Sequence, residues 1–447
     1  MSSHSPHLNG FIEHITTVGN VQDVPATVVK TLIKEANLCE VLSKAIGSDS
    51  KLISWTIQKS VSQNDNYIAI ITKVKITYSQ NGMESLVSIV ARLGPPRPSK
   101  VLNQSINYAF VKEARAYQEL LPSLNSELTA IGMKPLRFPK CYYTSWEPDK
   151  EAIYLEDLRA EGYKSPGRYN GLDVAHSTLI LQELARLHAA SLLLEVRDSF
   201  EDLDSKYTFL EKDCFDVTEE AVKQTREVLI RYIDRTIAVL NATEGYERAA
   251  EWLNNLKPRV FEQMEKKLKT HTRFAVVCHG DCWSKNVLFR YNKKGAPVEV
   301  MLVDLQMVRR ASLAVDLNYF FYNSLTGPDR QENLEKYLDI YYTSFKSVMQ
   351  ARGLAMPFIR AELDHEYKSK NLYGMLWAMI FVPLSASECI DIPDWRTVDE
   401  SPTKGTDSLS ALTNDNNMSQ TLNQNPEVMA RFLSLFDDMV GKADAKC

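Results

Sequence analysis

The stretch from Phe274 to Phe289 reads FAVVCHGDCWSKNVLF, and the stretch from Val298 to Gln306 reads VEVMLVDLQ. Asp281, Asn286 and Asp304 are the side chains there whose types can do chemistry. Two carboxylates and an amide oxygen form an all-oxygen donor set that suits a hard cation such as Mg²⁺. Asp281, on the loop leading in, is also a candidate proton acceptor. Two apolar runs flank the turn Asn292-Lys-Lys-Gly295, the pattern of a β-hairpin. With residues 294–296 as the tip and the strands antiparallel, position 286 falls opposite position 304. An ordinary hairpin with a polar loop shares the pattern. The register is what makes a site of these residues.

The rest of the chain must hold that hairpin. Lys51–Gln58, Tyr67–Tyr78 and Ser85–Leu93 are β-rich, with the turn Gln80-Asn81-Gly82 between the last two, and predict a three-strand meander. Phe110–Leu121 is an amphipathic helix. Phe138–Thr144 and Ala152–Leu155 predict two further strands, and Arg159–Gly171 a glycine-rich loop. Helical spacing follows over Ser177–Leu194, Thr218–Leu240, Tyr246–Leu268, Glu332–Met349 and Arg360–Met379. His188, in the first of these, reads as a hydrogen-bonded core residue. Arg309 and Arg310 lie in a loop and read as surface cations, with an approach to phosphate or an acidic substrate as the alternative. Residues 401–424 are polar and turn-rich and predict a loop. Asn425–Met439 predicts a closing helix with Pro426 near its start.

The 447 residues are 44% apolar and 24% charged, ordinary globular material long enough for a bilobal enzyme. A net charge of −5 gives no support to nucleic-acid binding. The most apolar stretch, Gly374–Leu384, has about half the ~20 residues needed to span a bilayer and reads as a core helix. Seven scattered cysteines without a CxxC pair suit reduced thiols, and Cys278 and Cys282 read as buried ones. The N-terminal residues lack a signal-peptide pattern, so a cytoplasmic protein is expected.

His-Gly-Asp-x4-Asn followed by Asp-x-Gln, in the wording HGDCWSKNVLF and VDLQMVRRASLAVDLNYFFYNS, resembles the catalytic and metal loops of small-molecule kinases related to aminoglycoside phosphotransferases and choline kinases. It is most similar to the insect ecdysteroid kinase-like (CHK kinase-like) family. The resemblance implies an α+β, bilobal protein-kinase-like fold: a helical extension over residues 1–50, a small β-sheet N-lobe over 51–155 and a mostly helical C-lobe over 156–447. It implies an ATP- and Mg²⁺-dependent transfer of phosphate to a hydroxyl of a small molecule, an ecdysteroid or a related hydroxylated compound.

By the same resemblance Asp281 accepts or orients the acceptor's proton, and Asn286 and Asp304 hold Mg²⁺. His279 and Asp316 are structural, Asp316 capping its helix and bracing the catalytic loop. Arg92 takes the place of the strand lysine that meets the phosphates, paired with Glu113. Asn64 lies in the loop over the phosphates, and Glu156 and Leu158 belong to the hinge that meets adenine through its backbone; Lys285 stands where the family commonly has Asn and is long enough to reach the transferred phosphate. Asn64, Arg92 and Leu305 depart from the usual Gly, Lys and Phe. Arg92 keeps the charge but changes the geometry. It leaves open a second reading, a kinase-fold binding protein of weak or no activity. A protein kinase is disfavoured, because no G-x-G-x-x-G, DFG or APE segment occurs.

Overall fold

Alternation builds the small lobe. In Ile70–Gln80 (β2) the side chains of Ile70, Thr72, Val74 and Ile76 turn inward while Lys73 and Lys75 stay half-exposed, the period of a strand with one buried face. The turn at Asn81-Gly82, both with positive φ, returns the chain into Met83–Leu93 (β3). With Lys51–Gln58 (β1), Cys141–Ser145 (β4) and Ala152–Glu156 (β5), these form one antiparallel sheet of order β1-β2-β3-β5-β4. The computed structural model describes residues 26–58, 69–94, 100–147, 150–167, 171–197, 203–211, 219–268, 273–386 and 417–440.

Helices Ala26–Leu32 (α1) and Glu35–Ala45 (α2) precede the sheet, and Trp55 of β1 donates its indole N–H to Glu35 at 3.2 Å. Lys100–Arg115 (α3) runs through one widened turn, Ala116–Leu120, into Leu121–Ala130 (α4). Such a π-turn inside a helix is a recurrent feature of functional regions, and this one begins three residues after Glu113. Past β5 the chain is tied down by Asp157. Its carboxylate accepts from Ser88 Oγ at 2.6 Å and pairs with Lys73 Nζ at 2.5 Å, so the crossing to the large lobe is anchored to β2 and β3.

Val174–Arg197 (α5) is the spine of the large lobe, apolar enough all round to be largely buried. Glu219–Asn241 (α6), Glu247–Leu256 (α7) and Val260–Leu268 (α8) follow, the last two parted by a 3₁₀ turn at Pro258 where one helix was expected. Ala275–Cys278 (β6) pairs with Arg309–Ser312 (β9), and Val287–Tyr291 (β7) with Pro297–Leu302 (β8). Residues 309–312 were expected as loop, and they are a strand because β6 supplies a partner over its whole length. Leu313–Ser324 (α9), Gly327–Ala351 (α10), Arg360–Ser369 (α11) and Asn371–Ala386 (α12) complete this part, the last two separated at Lys370.

Residues 401–416 of the expected loop lie outside the described residues. Asn417–Gln424 is not loop but a helix (α13), in which Met418 and Leu422 bury one side four residues apart. The closing helix Pro426–Val440 (α14) is docked by Arg431, which donates to the carbonyls of Leu325 and Asn323 at the end of α9. No described helix is long and apolar enough to cross a membrane.

α9 and α12 approach closely at Gly374, where a Cβ would lie 2.7 Å from Asn318 O and 2.7 Å from the Tyr322 ring. Gly374→Ala should therefore destabilise the large lobe by about 1–3 kcal/mol through overpacking, read as a lower midpoint in urea unfolding. An unchanged midpoint would contradict this contact.

Candidate active site

The catalytic loop begins where β6 ends. Gly280, at φ 82°, is demanded by the backbone: a Cβ there would lie 2.0 Å from Met307 O, so no other residue lets this loop pass the segment after Asp304. The loop is held from α9. Asp316 accepts from the backbone N–H of His279 at 2.7 Å and of Gly280 at 2.9 Å, and its Oδ2 lies 3.0 Å from His188 Nε2. Burial works against the Asp316 carboxylate, yet these donors hold it below its ordinary value. Asp316 thus holds the backbone of the loop but does not cap its helix. Ser312 does, accepting from Ala314 N at 3.3 Å.

His279 is fully buried, and its ring is fixed by two neighbours. Nε2 lies 3.1 Å from Val303 O, and Nδ1 is 3.3 Å from the N–H of Asp281, so Nε2 carries the proton. Burial lowers its pKa, which suits a neutral imidazole clamped between the two segments.

The hairpin register is one residue from that expected. Val287 faces Leu302, and Val303 N–H donates to Asn286 O at 3.0 Å, so Asn286 is opposite Val303 and not Asp304. The turn closes from Asn292 to Ala296, centred on residue 294 and not 295, and the irregularity at Arg290/Tyr291 restores one of the two residues of offset this creates. Asp304 lies just past the strand at φ 72°, a left-handed conformation uncommon outside Gly, though Asp, like Asn, adopts it more readily than most residues. A strained residue in a segment carrying candidate ligands is characteristic of functional sites.

Three carboxylates and a guanidinium meet there. Arg92 of β3 is buried and spans Asp304, with 3.3 Å from Nη2 to Oδ1 and 3.3 Å from Nη1 to Oδ2. The same guanidinium pairs with Glu113 of α3 at 3.1 Å. Burial opposes its charge, but the two carboxylates hold Arg92 protonated above its ordinary value. Glu113 is pushed upward, first by burial and then by Asp304 competing for one cation. Across the gap, Asn286 Nδ2 donates to Asp281 Oδ2 at 2.7 Å and to Asp281 O at 2.9 Å. The Asn286 amide oxygen is thereby turned away from Asp281 and left as an acceptor-type atom. Asp281, half-buried, has its pKa raised to about 7 by burial and then by the charge of Asp304.

This donor set fits a divalent cation of the Mg²⁺ type: Asp304 carboxylate and Asn286 amide oxygen as ligands, Asp281 alongside. Arg92 Nε is a buried N–H with no hydrogen-bond partner among the described residues, so the guanidinium has donor capacity left for an anionic group.

The remaining expected residues fall as follows. Asn64 lies outside the described residues. Glu156 and Leu158 flank Asp157. The N–H of Glu156 donates to Lys140 O at 2.9 Å and that of Leu158 to Glu156 O at 3.1 Å. Lys285 Nζ sits over the Trp283 ring, 5.4 Å from its centroid. Arg309 is buried in β9, where it registers with Cys278, and is not a surface cation; Arg310 pairs with Glu195 at 2.5 Å. Cys278 and Cys282 are buried thiols, and burial raises both far above the ordinary range, which suits inert core residues.

Sequence reading missed Tyr319, whose hydroxyl donates to Asp281 Oδ1 at 2.6 Å. It also missed the aromatic wall around it. Trp283, Trp377 and Phe381 pack in series, with Trp377 and Phe381 stacked 5.7 Å apart and tilted by 21°. Helical spacing of aromatics in 319–322 and 373–381 reads as core, and only the fold shows which of them border the carboxylate.

Two stability measurements follow. Asp316→Ala strands two buried N–H groups and should cost about 3–5 kcal/mol in urea unfolding; a cost under about 1 kcal/mol would refute its bracing role. A carboxyl whose pKa in the fold lies near 7, above about 3.9 in the unfolded chain, costs nothing below pH ~4 and progressively more as pH rises to 7. In EDTA, Asp281→Asn should therefore gain about 1–2 kcal/mol over wild type at pH 8 and nothing at pH 4, the figure reduced because the side chain keeps some solvent. A gain of equal size at both pH values would show that the raised pKa is not the cause.

The chain was compared with known proteins. A family model described as the ecdysteroid kinase-like family matches residues 63–353. An uncharacterized kinase-like protein of Caenorhabditis elegans is 29% identical over 105 residues, 24% of this chain and 26% of that protein. An uncharacterized oxidoreductase of the same organism is 21% identical over 329 residues, 71% of this chain and 36% of that protein. The chain thus spans about a quarter to a third of the length of these relatives. Among solved structures, a Plasmodium vivax ethanolamine kinase superposes with a TM-score of 0.36 at 11% identity, covering 97% of this chain and 95% of the other. The choline kinase LicA of Streptococcus pneumoniae gives 0.35 at 10% identity, covering 89% and 99%. With a matching model over well over half its length, and with the order of strands, helices and loops described above, the chain belongs to the ecdysteroid kinase-like family.

Proposed function

We propose that the protein is a phosphotransferase that moves the terminal phosphate of ATP onto a hydroxyl of a small molecule, with Mg²⁺ held by Asn286 and Asp304. The observation that carries this reading is the convergence of Asp281, Asn286 and Asp304 with the Arg92–Glu113 pair, from two loops of one lobe and a strand and helix of the other. Family membership supports it. Such a transfer asks the protein mainly for positioning and charge neutralisation. Arg92 supplies fixed positive charge for phosphate oxygens, and Glu113 keeps that side chain extended across the cleft. Asp281 accepts the hydroxyl proton as the acceptor oxygen bonds to phosphorus and the bond to the leaving diphosphate breaks. A bound Mg²⁺ would neutralise charge on the phosphates.

The acceptor reading is an ecdysteroid or a related hydroxylated compound. The family description supports it, and so do the half-buried rings of Trp377 and Phe381, which pack against Tyr319, the hydrogen-bond partner of Asp281, and suit a ring system. A second reading, a binding protein of weak or no activity, is favoured by one observation. The guanidinium of Arg92 grips both oxygens of Asp304, a contact that a nucleotide complex has to replace.

The two readings separate in one experiment: nucleotide binding with and without Mg²⁺, followed by ATP turnover on a panel of hydroxylated steroids with mass-spectrometric detection of the phosphorylated product. The phosphotransferase reading expects Mg²⁺-dependent binding and a product. It also expects Asp281→Asn to lower kcat by about 10²–10⁴-fold while nucleotide affinity holds. Tight nucleotide binding with no product from any acceptor would favour the binding protein.

A further inference from the structure

Asp281 is held at both oxygens. Oδ2 accepts from Asn286 Nδ2 at 2.7 Å, and Oδ1 accepts from the Tyr319 hydroxyl at 2.6 Å. Asn286 already has a place in the site. Tyr319 does not: it ligates nothing in the scheme above and stands 38 residues away in sequence. Its position is nevertheless well determined. Tyr319 lies three residues after Asp316 on α9, so the two side chains leave one face of the helix. Asp316 fixes the backbone of His279 and Gly280 from that face, and Tyr319 reaches the side chain of the next residue. The Tyr319 ring is buried and packs against both Trp377 at 6.3 Å and Phe381 at 6.0 Å, which limits the freedom of the hydroxyl to leave.

We infer that Tyr319 is a positioning residue, which sets the rotation of the Asp281 carboxylate so that its remaining lone pairs face the acceptor hydroxyl. The inference rests on the phosphotransferase reading. The terminal torsion of an aspartate is broad and nearly two-fold, so one hydrogen bond alone defines it poorly. Two bonds to opposite oxygens define it, and each oxygen keeps one further lone pair for a proton. Burial and the adjacent carboxylate raise the phenol's pKa well above its ordinary value, so Tyr319 remains a donor across the working pH range. It does not compete with Asp281 for the acceptor's proton. The same ring continues into the aromatic wall, so the group that aims the base also borders the place where an apolar acceptor rests.

Tyr319→Phe is the test, because it keeps the ring and removes only the donor. Wild type and variant are compared in phosphoryl transfer from Mg·ATP to the best acceptor of the steroid panel, in nucleotide affinity by calorimetry and in thermal melting. The expected result is a kcat lower by about 10–100-fold, the size of a misaligned reacting group. Both KM values and the nucleotide affinity should stay within about twofold, with a matching melt. An unchanged kcat would overturn the inference, and so would a raised acceptor KM at constant kcat, which would make Tyr319 an acceptor contact. A parallel fall in melting temperature and nucleotide affinity would reduce it to a packing residue. Wild type that binds Mg·ATP and phosphorylates nothing would overturn the phosphotransferase reading and this inference with it. Turnover by wild type with an unaffected variant would overturn only the role of Tyr319.

Discussion

One buried guanidinium divided between two carboxylates holds the site together. Arg92 comes from the sheet, Glu113 from the helix beside it, and Asp304 from the far side of the cleft. Taking three charges out of water is expensive, and such clusters seldom add stability over apolar packing. What the arrangement does is specify distance. β3, α3 and the segment after β8 cannot move apart without leaving a bare charge in a dry place. Further contacts join the lobes, among them the pair of Arg197 with the buried Glu127 at 2.8 Å. Asp157 ties the connecting segment to Lys73 and Ser88, and Lys164 and Phe289 exchange backbone hydrogen bonds at 2.8 Å between that segment and β7.

A second constraint is imposed on the backbone. Gly280 and Asp304 both take positive φ, and the Met307 carbonyl fills the space a Cβ at position 280 would need. The two loops are therefore folded against each other, and α9 pays for that closeness with the Asp316 carboxylate. His279 completes the clamp as a neutral ring between Val303 O and the Asp281 N–H. Conformations of this kind persist where surrounding structure over-determines them, and they are found where groups must be held ready for chemistry.

Much of this was legible in the residues. Two carboxylates and an amide at a hairpin's approach and return announced an oxygen-rich site, and the β-rich runs 67–78 and 85–93 around the turn Gln80-Asn81-Gly82 announced the sheet that brings Arg92 to it. Other features were hidden for physical reasons. Counting from a tip centred on residue 295 put position 304 opposite 286, but the turn closes from Asn292 to Ala296, centred on 294, and the irregularity at Arg290/Tyr291 restores only one of the two residues of offset; neither leaves a mark in residue types. Arg309-Arg310 looked like a solvated pair, yet pairing with β6 buries the first. Tyr319 was invisible because an aromatic in an apolar helix reads as core until a distant loop is folded onto it. The helix at 417–424 was masked by its many Asn, Gln and Ser residues, which suggest a loop although Met418 and Leu422 supply an apolar side.

The central claim is that Asn286 and Asp304 share one divalent cation with a bound nucleotide. Mn²⁺ in place of Mg²⁺ reports on this directly: electron paramagnetic resonance counts free and bound ion in the presence of ADP, for the wild type and for Asp304→Asn. The account predicts one nucleotide-dependent site in the wild type, weakened at least about tenfold in the variant. Equal Mn²⁺ affinity in both proteins, or a site indifferent to ADP, would contradict it.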